Sequence, residues 1–184
     1  MKLLGNRRIA ALIAATVIVL SLAFGVYRSV TAEAKKVNTM FERGTDGSGY
    51  GIAPDLRDRQ EDAAYLTRFA ERYSGLEAET ELVTAVLGEF SEASTVSALY
   101  AADQKLESAV AALNLALQNA GLSENDDRFR AEAKADFDSR HLTVIREAAN
   151  YNEAVDAFEE TVLGGLPVRL FGWILRLPTV EAFR

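Results

Sequence analysis

The only imidazole of this 184-residue chain is His141, which follows Asp138 by three positions. A carboxylate and a histidine at this spacing occur in di-iron helical bundles, where each of two helices supplies such a pair beside further inward carboxylates. This chain has no second histidine, and it has no cysteine. The absence of cysteine also disfavours tight zinc or iron-sulfur sites and any disulfide framework. We therefore predict no metal site and no cofactor, and a structural role for His141.

Asp103 is a second polar residue that interrupts an apolar pattern. Apolar residues between positions 96 and 120 recur at steps of three and four, and Asp103 occupies one of these steps. His141 holds the same kind of position in the pattern between 137 and 162. A buried polar residue in such a seam can set helix register at some cost in stability. Asp103 and His141 are therefore the candidate polar pair of the core.

Short motifs typical of common catalytic sites are missing. The sequence has no G-x-x-x-x-G-K loop, no G-x-S-x-G turn and no H-E-x-x-H helix. The glycines between 47 and 51 lack the lysine and the preceding strand of a nucleotide site, and they indicate a linker. Glu124, Asp126 and Asp127 suit a solvated helix start, and their spacing does not match an EF-hand. We predict that the protein is not an enzyme and has no catalytic residues.

Charge is distributed unevenly along the chain. The net charge is −7, but the first 32 residues contain four basic residues and no acidic one, so the remaining 152 residues carry −11. An acidic body has no basic stripe with which to release counterions from phosphates, so we predict no nucleic-acid partner. The chain therefore consists of at least two unlike parts.

Residues 9–27 form an uncharged apolar run of nineteen residues. A helix of this length extends roughly 28 Å, close to the roughly 30 Å hydrocarbon core of a bilayer. Basic residues precede it, so the positive-inside rule places residues 1–8 in the cytoplasm and exports the body. The alternative is a signal peptide cleaved near Ala32, which the length of the run and the position of Arg28 disfavour. We predict an uncleaved transmembrane anchor.

The body, residues 28–163, is predicted to be all-α. Helix formers dominate, prolines are absent from 55–166, and apolar residues follow helical spacing. The first helix should continue from the anchor to about Arg43, followed by a Gly-rich loop at 44–53. Ser123 should cap the last long helix. Short turns then give an antiparallel, up-down bundle of the four-helix type behind the transmembrane helix.

Residues 54–92 can be interpreted in two ways. Phe69, Leu76, Val83 and Phe90 keep a single seven-residue phase, which favours one long helix, kinked at most. The Ser74–Glu77 segment instead matches a capping box that would start a second helix. We favour the single helix.

Residues 164–184 form an apolar tail. The last long helix should run back toward the membrane, so we predict that the tail emerges beside the bilayer surface. Arg169, Phe171, Trp173 and Arg176 are the candidate contacts with the membrane interface, because aromatic rings settle at headgroup depth and arginines pair with phosphates. The run is too short to span. The alternative is that the tail folds back and packs on the bundle.

The last long helix resembles the C-terminal signature of the LemA family. The resemblance rests on the segments 151–155 (YNEAV), Leu166-Pro167 and 170–173 (LFGW), and on 102–106 and 125–129 upstream. It covers roughly residues 95–184 and the N-terminal anchor, whereas residues 37–60 diverge. The resemblance implies one N-terminal membrane helix that carries an antiparallel bundle outside the cytoplasm, and it implies no enzyme activity.

These features predict a single-pass protein of the bacterial inner membrane, with a cytoplasmic N-terminus and a periplasmic or extracellular body. Its partners would be membrane lipid and an envelope protein. The predicted function is a non-enzymatic scaffold or adaptor for envelope proteins, with exposed acidic helix faces as the binding surface. The alternative is an extracytoplasmic sensor or ligand-binding module coupled to the membrane helix.

Overall fold

The computed structural model describes residues 7–45, 47 and 49–184. Within this part of the chain there are α-helices and one π-helical turn, and no β-strand, so the predicted all-α class is confirmed. Residues 1–6 of the predicted cytoplasmic segment, and positions 46 and 48 of the Gly-rich loop, lie outside the described residues. The helices are α1 (Arg7–Arg43), α2 (Ile52–Ala70), α3 (Glu77–Glu92), α4 (Val96–Gln118), α5 (Glu124–Ala157) and α6 (Leu166–Phe171), with the π-helical turn at Phe158–Leu163.

The chain divides into two compact units. The bundle unit comprises Thr39–Ala154 and Glu181–Arg184, and the apolar unit comprises the described residues up to Asn38 together with Val155–Val180. The segment predicted as one tail, 164–184, is therefore divided, because its last four residues belong to the bundle unit.

The Gly-rich loop is shorter than predicted. Helix α1 ends at Arg43 as expected, Gly44 follows with φ +79°, and α2 already begins at Ile52. The loop is thus 44–51 rather than 44–53, because Pro54 lies inside the first turn of α2, where proline is tolerated. At Gly51 a Cβ atom would lie 2.6 Å from the carbonyl oxygen of Phe41, so only glycine fits this close approach.

Helices α2 and α4 both run antiparallel to α5. The ring of Phe69 near the end of α2 lies 4.8 Å from the ring of Phe129 near the start of α5. Further along, Arg140 of α5 donates to Asp58 near the start of α2 (2.5 Å). For α4, Arg130 of α5 donates to Asn114 (2.6 Å), whereas His141 faces Asp103, eleven positions earlier in α4.

The prediction of one continuous helix over 54–92 is wrong. Helix α2 ends at Ala70, and α3 begins at Glu77 after a turn that contains Gly75 at φ +85°. Helix α3 joins α4 through only three residues and is therefore antiparallel to it, so it also runs opposite to α2. The Glu77 carboxylate accepts from the amide of Gly75 (3.2 Å), which stabilises the reversal.

The four-helix up-down arrangement thus exists, but α2, α3, α4 and α5 form it, and α1 contributes only its last turn to the bundle unit. Ser123 caps α5 as predicted, since its hydroxyl accepts from the amide of Asp126 at 3.2 Å. The core of the bundle unit is formed by aliphatic and aromatic side chains that are at most 2% exposed: Leu56, Leu66, Val83, Leu106, Val110, Leu113, Leu117, Phe137, Val144 and Tyr151.

The apolar unit contains a helix that is long and apolar enough to cross a membrane. Within α1, the most apolar 18-residue window has a mean hydropathy of 2.6, and none of it is buried. Large apolar side chains such as Leu12, Leu20 and Phe24 are more than 60% exposed. From Val30 onward one face of α1 becomes buried. Within α1, the exposed large apolar side chains thus all lie in the part that was predicted to be the anchor.

Candidate functional site

A cluster of charged side chains lies inside the bundle unit at the level of Arg59. Arg59 of α2 is fully buried, and its Nε donates to Oδ1 of Asp103 on α4 at 2.9 Å. The two terminal nitrogens donate to the carboxylate of Glu107 (2.9 Å) and to the carbonyl oxygen of Phe137 on α5 (3.2 Å). The guanidinium also stacks 4.0 Å from the centroid of the Phe137 ring. One arginine thereby joins three helices.

Helical spacing explains why these residues meet. Arg59 follows Leu56 by three positions and precedes Ala63 by four, so it lies on the buried face of α2. Asp103 and Glu107 are one turn apart on α4, and therefore both carboxylates point toward the same side. The guanidinium fork, which presents several donors in one plane, can bind both carboxylates at once.

His141 completes the cluster from α5. Its Nδ1 lies 3.8 Å from Oδ2 of Asp103 and 3.9 Å from Oε2 of Glu107. The structure therefore brings the predicted pair Asp103 and His141 together, at a distance beyond a direct hydrogen bond. Among the described residues, neither Nδ1 of His141 nor Oδ2 of Asp103 has a hydrogen-bond partner.

Electrostatics in the cluster are dominated by desolvation. Burial raises the pKa of the Asp103 carboxyl, while the charges of Arg59 and His141 act in the opposite direction. Arg59 and Asp103 are 0% and 1% exposed, so neither can contact a substrate. Across the described ranges, no group of three or more His, Asp or Glu side chains could hold a metal ion. The cluster is therefore suited to setting the register of three helices.

A polar pocket of about 340 Å³ opens elsewhere on the bundle unit, between the start of α2 and the middle of α5. It is lined by both cations and carboxylates, including Asp55, Arg140, Arg146 and Glu147. Asp55 is 7% exposed, and its Oδ2 has no hydrogen-bond partner within the described part of the chain. Burial raises the pKa of Asp55, and Arg140 acts against this shift. The pocket could accept a small zwitterion, a molecule that carries one positive and one negative group.

Tyr151 and Asn152 bind the last residues of the chain, and we call this pair the clamp. The Tyr151 hydroxyl donates to the carbonyl oxygen of Glu181 at 2.7 Å. The Asn152 amide donates to the carbonyl oxygen of Phe183 (2.9 Å) and accepts from its backbone amide (2.7 Å). The side chain of Phe183 is 3% exposed. The centroid of its ring lies 6.0 Å from that of Phe41 and 5.2 Å from that of Tyr100. Residues 151–152, which contributed to the LemA resemblance, thus hold a peptide segment.

The clamp leads to a prediction about alkaline pH. Burial, with a smaller contribution from Glu181, raises the pKa of Tyr151 to about 12. An unfolded tyrosine titrates near 10, so between about pH 10 and 12 the unfolded chain loses this proton first and stability falls as the pH rises. We expect the wild type to lose about 1–2 kcal/mol more than Tyr151→Phe over this range, after allowance for a partly solvated hydroxyl.

Urea denaturation of the full chain in detergent at pH 8, 10 and 11.5 would measure this difference. Tyr65→Phe, which alters a half-exposed ring, is the matched control and should behave like the wild type. Equal alkaline losses in the wild type and in Tyr151→Phe would contradict the prediction.

The four candidate membrane-interface residues all lie in the apolar unit. Arg169 and Arg176 are exposed, and Trp173 is 82% exposed with its ring nitrogen donating to the carbonyl oxygen of Leu170 at 3.0 Å. Phe171 is half-buried. Three of the four are therefore available to a partner or to lipid, whereas Phe183, further along the tail, is buried.

The sequence analysis missed Arg59, the residue that joins the cluster. The signal was present, because Ile52, Leu56, Arg59, Ala63 and Leu66 follow one another at steps of three and four. An arginine in such a seam requires buried acceptors, and Asp103 had already been identified as one. Comparison with protein-family models, curated proteins and solved structures found no match for this chain.

Proposed function

We propose that this protein is a membrane-anchored, non-enzymatic helical bundle that acts as an adaptor for other proteins of the bacterial envelope. The observation that carries the proposal is α1. Its apolar part is exposed over a length sufficient to cross a bilayer, and the same unbroken helix continues to Arg43 in the bundle unit. In water such a surface would be costly, whereas lipid would cover it.

The proposed topology is a single pass, with the N-terminus in the cytoplasm and the body outside the inner membrane. Arg7 and Arg8 begin α1, and no acidic residue occurs before Glu33, so the positive-inside rule supports this orientation. The resemblance to the LemA family supports the same arrangement, and membership of that family is part of the proposal.

The proposed partner surface is the outer face of α3. This helix contains five glutamates and no basic residue, and Glu81 and Glu92 on it are exposed. In the part of the chain that the structure describes, the one ion pair between a glutamate of α3 and a basic residue of another helix joins Glu89 to Lys105 of α4, at 2.5 Å. A surface of one charge sign favours a partner of the opposite sign and accelerates their encounter. The partner would therefore present a basic patch.

Charge reversal on α3 tests the adaptor proposal. We expect crosslinking of the full chain in intact cells to capture a reproducible envelope protein, and Glu81→Lys/Glu92→Lys to reduce its yield about tenfold, the effect of losing about 1.4 kcal/mol. Glu132→Lys/Glu153→Lys, which makes the same change at exposed positions of α5, is the matched control.

Equal capture by both charge-reversed variants would contradict the role of α3. The second candidate function is the ligand-binding module, which the polar pocket with its buried Asp55 favours. The absence of any captured protein, together with a small zwitterion that raises the thermal stability of the full chain, would support that function instead.

A further inference from the structure

An apolar groove runs along α1 inside the apolar unit. One wall is formed by α1 between Ser21 and Glu33, and the other by residues 161–171, which include the end of the π-helical turn and α6. The groove has a volume of about 670 Å³, within the roughly 300–1,000 Å³ typical of ligand sites. Its lining is mainly apolar and includes Leu22, Gly25, Val26, Val162, Pro167 and Phe171.

The depth of the groove matches one side of a bilayer. Leu22, Gly25 and Val26 belong to the apolar run 9–27, whereas Val30 and Glu33 lie beyond it. From Ser21 to Glu33 the wall extends roughly 18 Å at 1.5 Å per residue, somewhat more than half the roughly 30 Å hydrocarbon thickness. With residues 9–27 in the bilayer, as proposed above, the groove would begin at the level of the acyl chains and end at the level of the headgroups.

Further apolar side chains are exposed on the second wall and just after it. Leu166 and Leu170, which also line the groove, are 72% and 66% exposed, and Trp173 and Ile174, which follow α6, are 82% and 60% exposed. The stretch 166–180 contains two arginines and no acidic residue. This combination is typical of segments that lie in the interface of an anionic membrane.

We propose that the groove binds one acyl chain of a membrane phospholipid. This inference rests on the proposed membrane attachment of α1 and makes residues 161–171 a lipid-binding element. The groove extends into the apolar run of α1, and at this depth of a bilayer a helix is surrounded by lipid acyl chains. An acyl chain is therefore the proposed occupant. The exposed Trp173 and Ile174, which follow the second wall, support the same surroundings for this segment.

Gly25 allows the groove to be blocked without disturbing its walls. It lines the groove, and a Cβ atom at this position would have no neighbour within 4 Å. A leucine side chain at position 25 would therefore occupy the space of the lipid. Ala14, which is exposed on the same helix and does not line the groove, offers a control that places a leucine in the same apolar run.

The experiment is native mass spectrometry of the full chain in detergent with added phosphatidylglycerol. We expect the wild type to retain one phospholipid per chain and Gly25→Leu to lower the retained fraction about tenfold, since losing the burial of two methylene groups corresponds to that factor. Ala14→Leu should retain lipid as the wild type does. Gly88→Leu, at a helical glycine of α3 whose Cβ would also meet open space, controls for the glycine replacement itself.

Three results would overturn the proposal: equal retention by Gly25→Leu and the wild type, equal loss in Ala14→Leu, or a dimer of this chain without bound lipid. Membrane fractionation of the same variants separates this failure from failure of the proposed function. A chain that stays in the membrane fraction but retains no lipid refutes only the groove. A wild-type chain found in the soluble fraction refutes the anchor as well.

Discussion

Replacement of Arg59 by methionine is expected to lower the free energy of unfolding by about 3–5 kcal/mol, because it leaves a buried carboxylate without its cation. Methionine keeps most of the apolar stem of arginine, so the lost stability should come mainly from the missing positive charge. Asp103 is 1% exposed and cannot reach water, whereas Glu107 is about one-third exposed and can. Most of the lost stability should therefore come from the unpaired carboxylate of Asp103. Urea denaturation of the full chain in detergent, followed by circular dichroism, would measure it.

The double variant Arg59→Met/Asp103→Leu distinguishes charge from packing. Buried ion pairs are often replaced by apolar residues of similar volume with little loss, so the double variant should recover most of the stability lost in Arg59→Met. If the double variant is as unstable as the single one, the loss comes from packing against Phe137 and not from the carboxylate.

The Arg59→Met defect should also depend on pH. Burial already raises the pKa of Asp103 while Arg59 opposes the shift, so removal of Arg59 raises it further. A carboxyl with a raised folded-state pKa stabilises the fold below its unfolded pKa and loses that contribution as the pH rises through the folded value. The stability difference between the wild type and Arg59→Met should therefore be smaller at pH 5 than at pH 8. A difference that does not change with pH would exclude Asp103 as its source.

The helical character of this chain could be predicted from its sequence, but the direction of one segment could not. Phe69, Leu76, Val83 and Phe90 are all buried, as their seven-residue phase indicates. Phe69 nevertheless lies on α2, whereas Val83 and Phe90 lie on α3, which begins just after Leu76 and runs in the opposite direction. Periodicity reports which residues face a core. It does not report chain direction, because both arms of a helical hairpin turn their apolar faces to the same core.

The length of the segment 54–92 is evidence against a single helix that the periodicity does not provide. A single helix over 54–92 would extend roughly 58 Å, whereas α4, its neighbour, extends roughly 35 Å at 1.5 Å per residue. Beyond the end of α4, such a helix would have had only α5, which is 34 residues long, beside it. Two arms of 19 and 16 residues instead both pack against α4, and Gly75 supplies the left-handed conformation that the reversal needs.

Only part of the candidate site could be predicted, for a similar reason. Asp103 and His141 could be found because each interrupts an apolar seam within its own helix. Their distance of 3.8 Å, and the larger role of Arg59, depend on how three helices are aligned. The clamp is harder still to predict, because the polar groups that Tyr151 and Asn152 bind are backbone atoms of residues 181–183, which no sequence pattern specifies.

Phe183→Ala is expected to lower the free energy of unfolding by about 3–5 kcal/mol, the usual cost of truncating a buried phenylalanine. The ring is 3% exposed and fills the space between Phe41 and Tyr100. The clamp bonds the backbone of residue 183 and not its side chain, so it cannot compensate for the lost packing. Phe183→Leu, which fills part of the cavity, should lose less than half as much.

Leu142→Ala provides the matched control, because Leu142 is a large apolar residue that is 68% exposed, and truncation there should change stability by less than about 0.5 kcal/mol. Asn152→Ala should add to the Phe183→Ala defect less than its own separate cost, since the two residues act on the same segment. If Phe183→Ala is no more destabilising than Leu142→Ala, residues 181–184 do not pack into the bundle unit in solution. Full additivity of Asn152→Ala and Phe183→Ala would show that the clamp and the ring hold this segment independently.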